Sequence, residues 1–334
     1  MADDELGQWS GKKVLVTGGT GSIGSELVRW LHAADAEIIR VLSNDENGLF
    51  ELQQQFPDDG RLRWLIGDVR DRARLERAMD GIDVVFHAAA LKHVPLCEYN
   101  PFEAVQTNVI GTSNAIEAAI SVGVERLVFI STDKAIEPVS TMGATKLLAE
   151  RVVKSASTSC LRPKLSIVRF GNVLGSRGSL VPEIRRQIAE DGRLKLTHPD
   201  MTRFMMSIAD AVRLTLDAVS GSQGGETFIL RMPALRISDM IEVLRAEIAP
   251  TLNLDPASIP IDITGIRPGE KLHERLLTRE EERFVVDGGN HLLVLHPPTD
   301  TELSPDMLIS FDSEHAPHLN HEEIRELLIR SGEL

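Results

Sequence analysis

The sequence predicts an α/β fold: a doubly wound parallel sheet carrying a smaller C-terminal lobe. Three observations predict it. Short apolar runs alternate with amphipathic stretches of helical period from residue 13 to residue 171, the pattern of parallel strands covered by helices on both faces. A glycine-rich turn, TGGTGSIG (17–24), joins the first apolar run to the first helical stretch. Near Asn172 the alternation gives way to glycine, serine and proline turns, so the remainder belongs to a different part of the molecule.

KVLVT (13–17) is short, apolar and β-branched, and is expected to be a buried strand. Ser22–Ala33 has helical periodicity and follows the glycines. EIIRVL (37–42), LRWLIG (62–67), DVVFHAA (83–89), RLVFIS (126–131) and KLSIVRFG (164–171) repeat the strand pattern, and residues 46–55, 71–79, 101–121 and 141–157 repeat the helical one. SIADAVRLTLDAV (207–219) is expected to be a helix and ETFIL (226–230) a strand returning to the main sheet. Helices at 237–248 and near 321–331 belong to a mixed lobe, and HPPTDTELSPD (296–306), rich in proline, is the most loop-like segment. The expected division is a nucleotide-binding domain over 12–175, rejoined by about 205–232, and a substrate-binding lobe over 176–204 and 233–334.

Composition excludes several classes. A chain of 334 residues, 42% hydrophobic, can bury a large core. A formal charge of −14 argues against a nucleic-acid surface. Two cysteines without paired spacing, Cys97 and Cys160, exclude a disulfide framework or a cysteine zinc site and suit a reducing cytoplasm. The start, MADDELGQWSGKK, is acidic and unlike a signal peptide, and no apolar run reaches the roughly 20 residues that cross a bilayer. A cytoplasmic protein without a membrane segment is expected. His87 and His93 lack a second ligand pair at usable spacing, so no metal is expected and both are read as structural or cofactor-loop residues.

Gly18, Gly21 and Gly24 stand between strand and helix, where glycine lets the backbone approach a pyrophosphate and the helix N-terminus supplies free N–H groups. A bound dinucleotide is expected. GDVRD (67–71) places Asp68 beside the adenine, whereas Asp71 is better suited to capping the next helix. The second strand ends at Ser43, without the carboxylate that usually bonds the ribose hydroxyls of NAD. A neutral serine removes repulsion against a 2′-phosphate, but no arginine follows, and Asp45 and Glu46 lie close. NADP is favoured by a narrow margin over NAD, with Asn44–Asn47 alternatively a helix cap.

HAAALKHVPLCEYNPFEAVQTNVIGT (87–112), STDKA (131–135), GATK (143–146), VRFGNVLGSRGSLVP (168–182), MTRFMMSIADAVRL (201–214) and RPGEKLHERLL (267–277) go beyond a generic dinucleotide fold. With the glycine turn they resemble the polysaccharide-biosynthesis branch of the extended short-chain dehydrogenases/reductases, in particular the 5-inverting UDP-N-acetylglucosamine 4,6-dehydratases. The resemblance runs from residue 12 to about 280. It implies a Rossmann fold, a UDP-sugar substrate, a bound nicotinamide cofactor that is recycled, and a homo-oligomer built through the helices at 101–121 and 141–157. It also implies a cofactor site of Gly18, Thr20, Gly21, Ser22, Ile23, Gly24, Ser43, Asn44, Asp68, Val69, Ala88, Ala89, Ala90, Lys92, Asn108 and Lys146. The substrate residues it implies are Lys92, His93, Asn172, Arg203, Arg267, Glu270, Lys271 and Glu274, with the arginines and Lys271 clamping a diphosphate and Glu274 bonding the nucleotide ribose.

A 4,6-dehydration must take hydride and a proton from C4–OH, remove the C5 proton, protonate the leaving C6 hydroxyl and return hydride to C6. Ser131 and Thr132 can bond the C4 oxygen, Asp133 can protonate the leaving hydroxyl, and Lys134 can work as base and acid at C5; the resemblance assigns Asp133 and Lys134 those roles. The position four residues before Lys146, where the superfamily carries a catalytic tyrosine, holds Met142. A thioether moves no proton. The C4 proton acceptor is therefore Asp133, Lys134 or Lys146. The single tyrosine, Tyr99, lies in another segment and is read as a packing or solvent-edge residue, and Cys97 as a packed thiol near the site. Two further functions remain open: an epimerase or a dehydratase on another nucleotide sugar, and a cofactor-binding regulator without catalysis.

Overall fold

The computed structural model describes residues 7–57, 59–288, 291–294 and 311–334. The loop-like stretch 296–306 and residues 1–6 of the acidic N-terminus lie outside them. Strands β1 (Lys13–Thr17), β2 (Ile38–Ser43), β3 (Leu62–Ile66), β4 (Val84–His87), β5 (Arg126–Thr132) and β6 (Lys164–Phe170) fall where the apolar runs predict. They are followed by short strands β7 (Asn172–Val173), β8 (Leu194–Leu196) and β9 (Thr202–Met206), then β10 (Thr227–Leu230), β11 (Ala234–Arg236), β12 (Ile261–Ile263), β13 (Val285–Asp287) and β14 (His291–Val294). The helices are α1 (Ser22–Ala33), α2 (Glu46–Gln53), α3 (Arg72–Met79), α4 (Val94–Tyr99), α5 (Pro101–Val105), α6 (Gly111–Val122), α7 (Thr141–Ser159), α8 (Leu180–Arg186), α9 (Ile208–Gly221), α10 (Ile237–Thr251) and α11 (His321–Arg330).

The main sheet runs β3-β2-β1-β4-β5-β6-β10, seven parallel strands, and β14 and β13 extend it antiparallel beyond β10. The last two are a correction: β13 and β14, expected in the smaller lobe, pair with the main sheet, because the edge of β10 offers backbone groups that further strands can satisfy. Alternation explains why the strands are apolar throughout. Val14 and Val16 enter the core on one face with Leu27, Val28 and Val212, while Leu15 enters the core on the other with Leu42, Leu75 and Leu127. A third core, with Ile184, Leu194, Leu235, Ile241, Leu244 and Leu327, sits under α8, α10 and α11. Trp9, ahead of β1, closes the first core against Phe86, ring centroids 5.5 Å apart.

The expected helix at 101–121 is interrupted. Residues Gln106–Ile110 form a π-helical turn between α5 and α6. The turn carries Asn108 towards the loop after β4, a use typical of such turns near functional sites. Asp45, Asp71 and Ser140 cap α2, α3 and α7 by accepting from Gly48, Arg74 and Gly143 backbone N–H groups.

Candidate active site

The order of the sheet reverses at β1, between β2 and β4, and the crevice at their C-terminal ends is where this architecture places a ligand. The glycine turn lines it. Gly18 has φ +64°, and a Cβ there would lie 2.7 Å from the Ala89 Cα; one on Gly24 would lie 2.3 Å from the Gly18 carbonyl oxygen. No larger residue fits either position. The N-terminus of α1 has no side-chain cap, so its first N–H groups are open to an anion. This cradle fits a dinucleotide's pyrophosphate. Thr20 and Ser43 hydroxyls are 2.8 Å apart, Ser22 Oγ accepts from the Arg177 N–H at 3.0 Å, and Ile23 packs on the core behind the turn. Ala88, Ala89 and Ala90 are partly exposed at the opposite wall, and Lys92 and His93 are exposed beyond them.

Of the implied cofactor residues, Asp68 and Asn108 have their polar groups committed within the protein and Val69 is buried. Asp68 holds Arg70 through both carboxylate oxygens, the shortest contact being 2.7 Å, and that pairing lowers its pKa; Asn44 adds to the same effect. The amide of Asn108 bonds the Leu91 N–H at 2.8 Å, the Leu91 carbonyl at 3.0 Å and Thr145 Oγ1 at 2.9 Å, so it fixes the loop ahead of Lys92. Val69 is buried against Gly111, where a Cβ would approach it to 2.6 Å. His87 is sealed between Thr17 at 2.8 Å and Thr112 at 3.1 Å, and burial drives its pKa down to about 3, as a structural residue.

At the end of β5 the chain turns through Asp133–Ala135. Asp133 is fully buried. Its Oδ1 accepts from Thr132 Oγ1 at 2.8 Å and Lys134 Nζ at 3.0 Å, while Oδ2 has no hydrogen-bond partner among the described residues. Lys134 Nζ also donates to Asn172 Oδ1 at 3.2 Å and lies 3.7 Å from Glu274. Burial opposes its charge, but Asp133 and Glu274 outweigh that and raise its pKa, so resting Lys134 is an ammonium acid. Ser131 differs from expectation: its hydroxyl donates to Glu150 at 2.6 Å, away from a role on substrate oxygen, because Glu150 is a stronger acceptor inside the same core.

Lys146 and Met142 share the buried face of α7. Lys146 Nζ donates to the Ile130 carbonyl at 2.6 Å and sits 4.0 Å from the Phe129 ring centroid; burial brings its pKa down to about 7 against the pull of Glu150. Met142 packs with Cys97 and Ala104. Tyr99 is 86% exposed.

Lys134 opens onto a cleft whose charged lining is Arg203, Arg267, Glu270, Lys271 and Glu274, with Asn172 beside them. Arg203 is buried and donates to the Thr202, Leu272 and Lys271 carbonyls at 2.7, 3.1 and 2.8 Å, so it braces the RPGEKLHE segment as well as lining the cleft. Lys271 reaches the Ile136 carbonyl, and Arg267 is exposed at the rim. Glu274, expected at a ribose, lies instead among Lys134, Lys271 at 3.5 Å and Arg203 at 3.9 Å.

Beneath the site is a network that motif reading passed over. Arg169, buried within β6, binds Glu150 at 2.6 Å and Glu281 at 2.9 Å, and Glu150 stands one turn after Lys146. The signal was present: an arginine inside the apolar run KLSIVRF, and a glutamate four residues beyond a functional lysine.

A sequence profile of the polysaccharide biosynthesis protein family matches residues 14–294. The chain belongs to that family. It is 51% identical over 330 residues to the uncharacterized membrane protein MJ1061 of Methanocaldococcus jannaschii, covering 98% of both chains. It is 38% identical over 290 residues to the inverting UDP-N-acetylglucosamine 4,6-dehydratase of Campylobacter jejuni, covering 86% of this chain and 83% of that one. The X-ray structure of Pen from Bacillus thuringiensis superposes with a TM-score of 0.91 at 39% identity, covering 98% and 99% of the two chains. The chain spans about half (46%) of the longer CapD of Staphylococcus aureus, at 42% identity, and a UDP-glucose 4-epimerase of Rickettsia felis is 37% identical over 333 residues, 95% of each chain. Dehydratases and epimerases of nucleotide sugars are thus both members of this family. Among the described residues no helix is long and apolar enough to cross a membrane.

Proposed function

We propose that the chain is a nucleotide-sugar 4,6-dehydratase acting on UDP-N-acetylglucosamine with inversion at C5, working with a bound NAD(P) that turnover does not consume. The observation that carries this is the Asp133–Lys134 pair at the end of β5: a buried carboxylate with one unpaired oxygen, 3.0 Å from an ammonium that opens onto the cleft. Such an oxygen calls for a hydroxyl donor, and the C6 hydroxyl of the sugar supplies one. A nicotinamide dinucleotide held by the Gly18–Gly24 turn and Lys146 would supply the hydride acceptor at C4 and the hydride donor at C6.

This chain's own groups do the rest. Asp133 protonates the departing C6 hydroxyl, taking its proton from Lys134, which as an amine then removes the proton from C5; inversion requires that the proton returned to C5 come from solvent on the opposite face of the ring. Of the three groups that could take the C4 proton, Lys146 is the one held near neutrality, so its amine form is available at neutral pH. Arg267 at the rim and Lys271 receive the diphosphate. A 4-epimerase needs no acid at C6, and Asp133 would then have no task.

Purified protein incubated with UDP-N-acetylglucosamine in D₂O should give a 4-keto-6-deoxy product by NMR with deuterium at C5, and UDP-glucose, GDP-mannose and dTDP-glucose should give less. A 4-epimer without a 4-keto product would replace this reading with the epimerase.

A further inference from the structure

We propose that Arg177 reads the 2′-phosphate of the cofactor's adenosine ribose. The inference rests on the nicotinamide dinucleotide reading above and deepens it, by assigning the cation that the sequence around β2 lacks. Arg177 is 157 residues from Thr20 in sequence, yet its guanidinium donates to the Thr20 carbonyl at 2.6 Å, and its backbone N–H donates to Ser22 Oγ at 3.0 Å. Two contacts dock the loop onto the glycine turn. Gly175 and Gly178 flank it at φ +69° and +71°, and a Cβ on Gly178 would lie 2.6 Å from His93, so the loop is held close against the wall after β4.

The place reached is the ribose end of the crevice. The pyrophosphate cradle is formed by Gly18 to Gly24, whereas Arg177 lies between the Thr20 carbonyl and Asp45, 3.9 Å from the Asp45 carboxylate. Asp45 stands two residues after Ser43, the residue that ends β2 where a ribose-binding carboxylate would otherwise stand. One Asp45 oxygen is committed to capping α2 at 3.0 Å. A 2′-phosphate here would meet the negative charge of Asp45 unless a cation offsets it. Arg177 is that cation. Its side chain is 63% exposed and a guanidinium carries five N–H donors, leaving a fork free for phosphate oxygens. The Thr20 and Ser43 hydroxyls, 2.8 Å apart, supply neutral donors beside it.

The test is binding, without substrate. Full-length wild type, Arg177→Ala and Arg177→Lys are stripped of cofactor and titrated calorimetrically with NADP, NAD and 2′,5′-ADP. Wild type should prefer NADP to NAD. Arg177→Ala should lose roughly tenfold to a hundredfold for NADP and 2′,5′-ADP, the scale of a charge-assisted contact, with NAD unchanged or tighter as Asp45 becomes free to take ribose hydroxyls. Arg177→Lys should retain most NADP binding. Equal losses for NAD and NADP would make Arg177 a pyrophosphate clamp and overturn the inference, as would a wild type that binds NAD in preference. A wild type that binds neither dinucleotide would instead remove the cofactor reading beneath it.

Discussion

Met142 stands where a proton-transferring phenol is expected, and the structure gives it a packing role. It is 4% exposed, against Cys97 and Ala104, on the same helical face as Lys146. Met142→Leu, similar in volume, should keep activity within about tenfold, since such swaps usually cost under about 1.5 kcal/mol. Asp133→Asn should lose about 10²–10⁴-fold in kcat, the range for a positioned acid. Steady-state rates on folded, cofactor-loaded variants decide this, and equal inactivation of both would refute it. Lys146 adds a pH signature. Its folded pKa, about 7, lies below the ordinary 10.5, so between these values the unfolded chain holds a proton that the folded chain has released. The burial penalty is complete below about pH 7 and is relieved as pH rises. The Tm of cofactor-free wild type minus that of Lys146→Met should therefore be flat below about pH 7 and climb towards pH 9.

At the scale of elements, β5, its Asp133–Ala135 turn and α7 form one unit, and β6 braces it through Arg169. Ser131 donates to Glu150, whose charge also acts on Lys146, and Glu150 and Glu281 share Arg169. Removing the arginine leaves a buried carboxylate, Glu150, and a partly buried one, Glu281, without their common partner. Arg169→Met should destabilise the fold by about 3–5 kcal/mol, the usual consequence of breaking a buried pair from one side, read from urea unfolding. A shift under about 1 kcal/mol would mean that Lys154, 3.1 Å from Glu281, compensates. The elements themselves were legible because period and length separate strands from helices, and β1 and α1 have the bounds the patterns predict. The network was legible only in pieces: Arg169 inside an apolar run and Glu150 four residues after Lys146 are local cues, but nothing local joins them to Glu281.

At the scale of the molecule, α4 to α7 carry an exposed apolar face: Leu96, Tyr99, Phe102 and Leu148 are all more than half exposed. Exposed apolar side chains on neighbouring helices are the kind an interface covers, and a second copy of the chain is the expected occupant. Light scattering at micromolar concentration should give a dimer or larger, and Phe102→Asp should shift it towards monomer. A wild-type monomer would refute this.

What the sequence by itself determined is whatever depends on neighbours in the chain. The strand–glycine–helix turn and the cap at Asp71 follow from spacing, because hydrogen bonding and helical phase act over a few residues, whereas the weight given to Asp133, Lys134 and Met142 came from the family resemblance. Tertiary structure decided which polar groups remain available. Ser131 and Asp68 have residue types suited to ligands, yet Glu150 and Arg70 hold them. Arg177 comes from a loop with no sequence relation to β2, yet it touches the glycine turn. The physical reason is common to both: a charged or hydroxyl group binds the best partner within about 3 Å, and which groups come within that distance is set by how the sheet is ordered and how the loops at its C-terminal edge fold back over it.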